Sequence, residues 1–146
     1  MNNDAYSMNL YKKLLKIVIK VIGHDGITTN WDLQKCCDLF FKDTDWHFLG
    51  VFPSDKIPEI VKSNQILICN ADDSTMDGSH WMAMTHDLFY DSFGRTKNKM
   101  LPGNTNNTKN TELDAEQKEH ENSCGQRSIA WLLLYCYFGK AHAKLI

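Results

Sequence analysis

The chain lacks an apolar run long enough to cross a bilayer. Its longest, Ile129 to Phe138, is about half of the roughly 20 residues a spanning helix needs, so no membrane partner is expected. It also lacks the ligand spacings C-x-x-C and H-x-x-x-H, and its six histidines are scattered, which argues against a zinc site. Neither a metal nor a bound cofactor is expected from this pattern. Met1 to Ser7 does not have the charged-then-apolar layout of a secretory signal. The five cysteines, Cys36, Cys37, Cys69, Cys124 and Cys136, are odd in number and without paired spacing. A reducing, intracellular compartment is the expectation. With a net charge of -2 there is no global excess of either sign, hence no overall reason to bind nucleic acid or an acidic membrane.

What is present is an ordinary globular composition, 42% hydrophobic and 23% charged over 146 residues, which suits a single domain spanning 1–146. From Asp4 to Val21 the residues Leu10, Leu14, Ile17, Val18 and Val21 recur at helical spacing with lysines between them. An amphipathic N-terminal helix, ended by Gly23, is predicted within 1–23. "TTNWDLQKCCDLFF" predicts a second helix with Thr29 or Asn30 as N-cap and Trp31, Leu33, Cys36, Cys37 and Phe40 on its buried side. "FLGVFPSDKIPEIV" reads as a short strand broken at Pro53, and "QILICNA" as a buried strand. The segment 95–112 is polar, rich in Asn and Thr, and aperiodic, so a mobile surface loop is expected there.

"SHWMAMTHDLFYDSFG" contains two strand-like runs, Ser79 to Met84 and Leu88 to Phe93, with a tight connection near Thr85 to Asp87. If that connection has two residues, even-numbered positions of the first strand share a face with odd-numbered positions of the second. His80 then lies opposite Asp91 or diagonal to it. A carboxylate beside an imidazole fixes its tautomer and stabilises the imidazolium, as a general base requires. The same pattern also fits a plain cross-strand polar pair.

In "NSCGQRSIAWLL", Ser123 and Gln126 have the spacing of a capping box, which makes Cys124 the first helical residue. A thiol there meets free backbone N–H groups and the positive end of the helix dipole, both of which favour the thiolate. The apolar stretch behind it predicts a buried central helix, with Cys136 in the core. Taken alone, Cys124 is either a small buried residue or a nucleophile.

The order His80, Asp91, Cys124, carried by "GSHWMA", "LFYDSFG" and "SCG", resembles the adenovirus proteinase (adenain) family. The wider clan includes SUMO-deconjugating proteases and maturation proteases of large DNA viruses. The resemblance spans about residues 28 to 139, with "FLGVFPSDKIP" similar to the segment leading into the family's histidine strand. It implies an α+β fold: a small mixed or antiparallel central sheet packed on a buried cysteine-bearing helix, in a papain-type core. It implies His80 as general base, Asp91 as its orienting carboxylate, Cys124 as nucleophile and Gln117, seven residues ahead, as oxyanion donor. An Asp stands where the family has Glu, and the chain ends soon after the cysteine helix.

The implied activity is a cysteine endopeptidase cutting viral structural or polyprotein precursors after Gly-containing sites, in a virion or in the host nucleus or cytoplasm. The protein partner is then a capsid or core precursor. An activating peptide or DNA belongs to the family pattern, but nothing in this sequence supports either. Two other readings are a processing protease for a ubiquitin-like protein and an inactive binding module.

Overall fold

The computed structural model describes residues 3–76, 79–112 and 114–146. Gly78 of the "GSHWMA" motif and the first two residues of the N-terminal segment lie outside them. The fold is α+β, with one five-stranded mixed sheet.

The first helix, α1 (Asn3–Ile22), stops where expected. Gly23 has φ 104°, a left-handed value that favours glycine, and its N–H closes the last turn on Ile19 O at 2.7 Å. Its buried stripe is Ser7, Tyr11 and Val18, while Ile17 and Val21 face outward. The inward face is thus rotated from the one the aliphatic residues suggest, because Tyr11 enters the core and hydrogen-bonds Tyr90 at 2.8 Å. In α2 (Asn30–Phe41), Thr29 and Asp32 form a reciprocal capping box. Leu33, Cys36, Cys37 and Phe41 are buried, Phe40 is half-buried, and Trp31 is 75% exposed. The prediction that Trp31 faces the core is corrected, since the helix turns toward the core two positions later, at Leu33.

The strands are β1 (His47–Phe52), β2 (Gln65–Asn70), β3 (Trp81–Thr85), β4 (Leu88–Tyr90) and β5 (Lys109–Asn110), in that spatial order. β1 runs parallel to β2 and β5 parallel to β4, while the central pairs are antiparallel. Both faces of the sheet are covered, which is why β2 and β3 are almost wholly buried and read as continuous apolar runs. Ile66, Ile68, Trp81, Ala83 and Tyr90 face α1, α2 and α4 (Cys124–Phe138). Leu67, Cys69, Met82, Met84 and Phe89 face the other way, under Ile60 and Leu101. Ala83 pairs with Tyr90 and Met84 with Phe89, leaving His86-Asp87 as a two-residue loop and the parity of the hairpin as expected.

Segment 95–112 departs from the expected plain loop. It contains a single helical turn, α3 (Lys97–Met100), buries Leu101, and supplies β5. Outside β5, polar side chains hold the segment in place. Asn106 accepts from Ile60 N–H at 2.8 Å and donates to Pro58 O at 3.1 Å, and the Lys97 amine donates to the carbonyls of Asn104 and Asn106. Periodicity cannot reveal order built from such side-chain to backbone bonds.

α4 is the central helix, buried from Cys124 to Tyr135 except for the partly exposed Arg127. Its last turn emerges: Cys136 is half-buried, and Tyr137 and Phe138 are exposed, so burial on every side holds only for the first three turns. A short helix, α5 (Lys140–Ala143), follows, and Trp131 Nε1 donates to Ala143 O at 2.9 Å. Among the described residues no helix is long and apolar enough to cross a membrane.

Candidate active site

The start of α4 is held against the α1–α2 connection and α2 by close contacts that leave no room for a side chain at position 125. A Cβ on Gly125 would overlap Thr28 Oγ1 and press on Leu33 Cδ2 at 2.9 Å. Ser128 Oγ donates to Trp81 O at 3.2 Å, and Trp81 Nε1 donates to Thr28 O at 3.2 Å. These bonds bring Cys124 to the start of β3. There the Trp81 backbone N–H points to the Cys124 sulfur at 3.4 Å.

The anticipated capping box is absent. Ser123 makes no side-chain cap; its hydroxyl accepts from Arg127 Nε at 2.9 Å instead. Gln126 Nε2 turns away to the carbonyls of His24 and Gly26, at 3.0 and 2.9 Å. Tertiary acceptors in the α1–α2 connection outcompete the local cap. The consequence for Cys124 is that the helix start stays open, with its first N–H groups free of intrahelical partners.

His80 and Asp91 meet as the strand parity requires. His80 Nε2 lies 2.6 Å from Asp91 Oδ1, and both residues are buried. With Nε2 engaged, Nδ1 is the ring nitrogen left for the thiol, and the His80 and Cys124 side chains are near enough for each to shift the other's ionisation. Asp91 is itself anchored. Its Oδ1 accepts from Phe93 N–H at 3.1 Å, and its Oδ2 accepts from Arg95 Nε at 2.7 Å and Arg95 N–H at 3.3 Å. The Arg95 guanidinium also lies over the Phe93 ring, 4.9 Å from its centre.

The charges of the three groups follow from these bonds. Burial opposes ionisation of Asp91, but His80, Arg95 and the Phe93 N–H outweigh it and hold the carboxyl below its ordinary value. Burial likewise disfavours a charged imidazole, yet Asp91 and Cys124 raise His80 above 6.5. Burial would lift the Cys124 thiol; His80 and the Trp81 and Gly125 N–H groups overcome it, and the net shift is downward. The arrangement favours a thiolate–imidazolium pair.

Gln117 is buried in the same cleft, a hollow of about 260 Å³ that Cys124, His80 and Trp81 also line. Its Oε1 accepts from Ser92 Oγ at 2.6 Å, and its Nε2 donates to Glu121 O at 2.6 Å. The hydroxyl on one side and the carbonyl on the other set the orientation of the amide, leaving one N–H of Nε2 for a ligand. Ser92 O also accepts the backbone N–H of Gln117 at 3.0 Å. The dipeptide Asp91-Ser92 thus orients two residues, His80 through the carboxylate and Gln117 through the hydroxyl. The loop between Gln117 and Cys124 is tied down by Arg127, which reaches Glu121 Oε2 at 3.2 Å as well as Ser123.

All four anticipated site residues are therefore brought together. Sequence reasoning missed Ser92 and Arg95. Arg95 had a signal: it follows Asp91 by four residues across a turn closed by Gly94 N–H to Asp91 O at 2.8 Å, with Gly94 at φ 72°. Ser92 had none, since its partner lies 25 residues away.

Comparison with protein families, with curated proteins and with solved structures finds no match to this chain.

Proposed function

We propose that the protein is a cysteine endopeptidase with an adenain-like, papain-type core. The observation that carries this reading is His80, held by Asp91 at 2.6 Å and facing a Cys124 thiol shifted toward the thiolate. The Cys124 thiolate attacks the scissile carbonyl carbon. The Gln117 Nε2–H and the Cys124 backbone N–H receive the oxyanion, at roughly 3 to 4 kcal/mol per donor. The His80 imidazolium gives its proton to the leaving amine as the C–N bond breaks, producing a thioester on Cys124. His80, now neutral, takes a proton from water, whose oxygen attacks the thioester; the C–S bond breaks, the acid product leaves, and the Cys124 thiolate is restored beside the His80 imidazolium.

By the same resemblance the substrate is a viral structural precursor cut at a glycine-containing site. The cleft agrees with a small residue there, because the Trp81 ring and Thr28 close in beside Cys124. The test is digestion of a Gly-x-Gly-x peptide library by the wild type and by Cys124→Ala. Cleavage by the wild type alone is expected, and equal cleavage by both would sink the proposal. Preference for ubiquitin-like fusions over short peptides would move the substrate to that class.

A further inference from the structure

The cleft at Cys124 continues past Trp81. A second hollow of about 490 Å³ adjoins it, and Ile27, Thr28 and Trp81 line both, so the two form one groove across the sheet end where β2 finishes and β3 begins. Asn70, the last residue of β2, lies in the wall of the second hollow and is only 2% exposed. Its Oδ1 accepts the Asp72 N–H at 2.8 Å, which sets the orientation of the carboxamide. Nδ2 is left buried and without a partner. Native structures keep few such donors, and an extended peptide brings a carbonyl at every residue to satisfy one.

The uncompensated charges along the groove are of one sign. Arg95 is held by Asp91, and Glu121 by Arg127. Glu119 at the Cys124 end and Asp72 and Asp73 at the far end have no cationic partner among the described residues, and no lysine lines either hollow. Ile27 and Met76, both largely exposed, supply apolar wall beside the two aspartates. A lysine or arginine suits such a place, its methylene stem on the apolar wall and its charged head at the carboxylates.

We propose that this groove binds a basic peptide segment. The substrate chain runs from Cys124 over Trp81 into the second hollow, gives a backbone carbonyl to Asn70 Nδ2, and sets a lysine or arginine against Asp72 and Asp73. Glu119 draws a second basic residue at the other end. The inference rests on the hydrolase reading of Cys124 and names the substrate class for it.

Two fluorogenic peptides with one Gly-x-Gly core, flanked on both sides by lysine or by glutamate, test it. The lysine peptide is expected to show about tenfold higher kcat/KM, the sum of a few partly exposed ion pairs, with the ratio shrinking as salt is raised. In the double variant Asp72→Asn, Asp73→Asn the ratio falls at least about threefold through KM, and Asn70→Ala raises KM for both peptides alike. Equal rates for the two peptides, or a ratio unaltered in the double variant, would overturn the groove while leaving the hydrolase reading in place. If neither peptide is cut, fluorescence anisotropy with labelled peptides on the Cys124→Ala protein decides separately. Tighter binding of the lysine peptide upholds the groove without the hydrolase, and equal binding overturns it.

Discussion

Cys124 and Cys136 sit at opposite ends of one helix, and their thiols are driven in opposite directions. At Cys136 burial acts alone and pushes the thiol up. At Cys124 burial pushes the same way, but an imidazole and two backbone N–H groups more than reverse it. Sequence context distinguishes the two only partly, since both lie in an apolar helix. The difference lies in what the fold brings to each sulfur: a free helix start, the Trp81 N–H and the His80–Asp91 pair for one, and apolar packing for the other.

The largest test of that contrast removes the imidazole. His80→Ala is expected to slow iodoacetamide alkylation of Cys124 at neutral pH by about 30-fold or more, toward the rate of Cys136, because the thiolate then loses its cationic partner. Peptide mapping by mass spectrometry reads both cysteines in one sample, and an unchanged ratio between them would remove His80 from the mechanism.

A smaller effect separates thiol activation from oxyanion stabilisation. Gln117→Ala is expected to lower kcat about 100-fold while the alkylation rate of Cys124 stays within about twofold. Ser92→Ala acts through Gln117 by freeing its amide to turn, and is expected to lower kcat about tenfold with the same split. If Ser92→Ala slowed alkylation as much as turnover, its role would be in folding rather than in positioning.

The smallest effect, and the sharpest in sign, is the pH profile. Cys124 is shifted down and His80 up, so the two titrations move toward each other and the thiolate–imidazolium pair is more populated than an unperturbed thiol and imidazole would allow. Turnover should lose its acid limb as Cys124 takes a proton and its alkaline limb as His80 gives one up, with both apparent values belonging to the coupled pair. Alkylation of Cys136 should rise only at more alkaline pH than that of Cys124. Superimposable alkylation profiles for the two cysteines would contradict the contrast.

Much of the site is legible in the sequence alone. The His80–Asp91 pairing followed from strand alternation and a two-residue turn, because a period of two leaves no freedom once the turn length is set. Cys124 as first helical residue was read from the Ser123–Gln126 capping box, and the helix does start there although the box is absent. The Ser123–Gln126 box was misread because a local pattern cannot weigh distant acceptors, here the carbonyls of His24 and Gly26. Trp31 was misplaced because apolar character does not set the phase of a helix against its neighbours. Segment 95–112 hid a turn of helix and an edge strand because Asn and Lys side chains, rather than an apolar face, hold it.

The sequence by itself determined the periodic elements, the hairpin parity and the helix start that carries the thiol, since these depend on interactions among residues close along the chain. The reach of His80 to Cys124, the burial of Gln117, its orientation by Ser92 and the anchoring of Asp91 by Arg95 were decided by tertiary structure. Apart from the nearby Arg95, they join separate segments, and such contacts depend on how helix and sheet dock, here through the bonds of Ser128 and Cys124 to Trp81, with Gly125 packed closely on Thr28 of the α1–α2 connection. That docking is also what turned one of two similar cysteines into a candidate nucleophile.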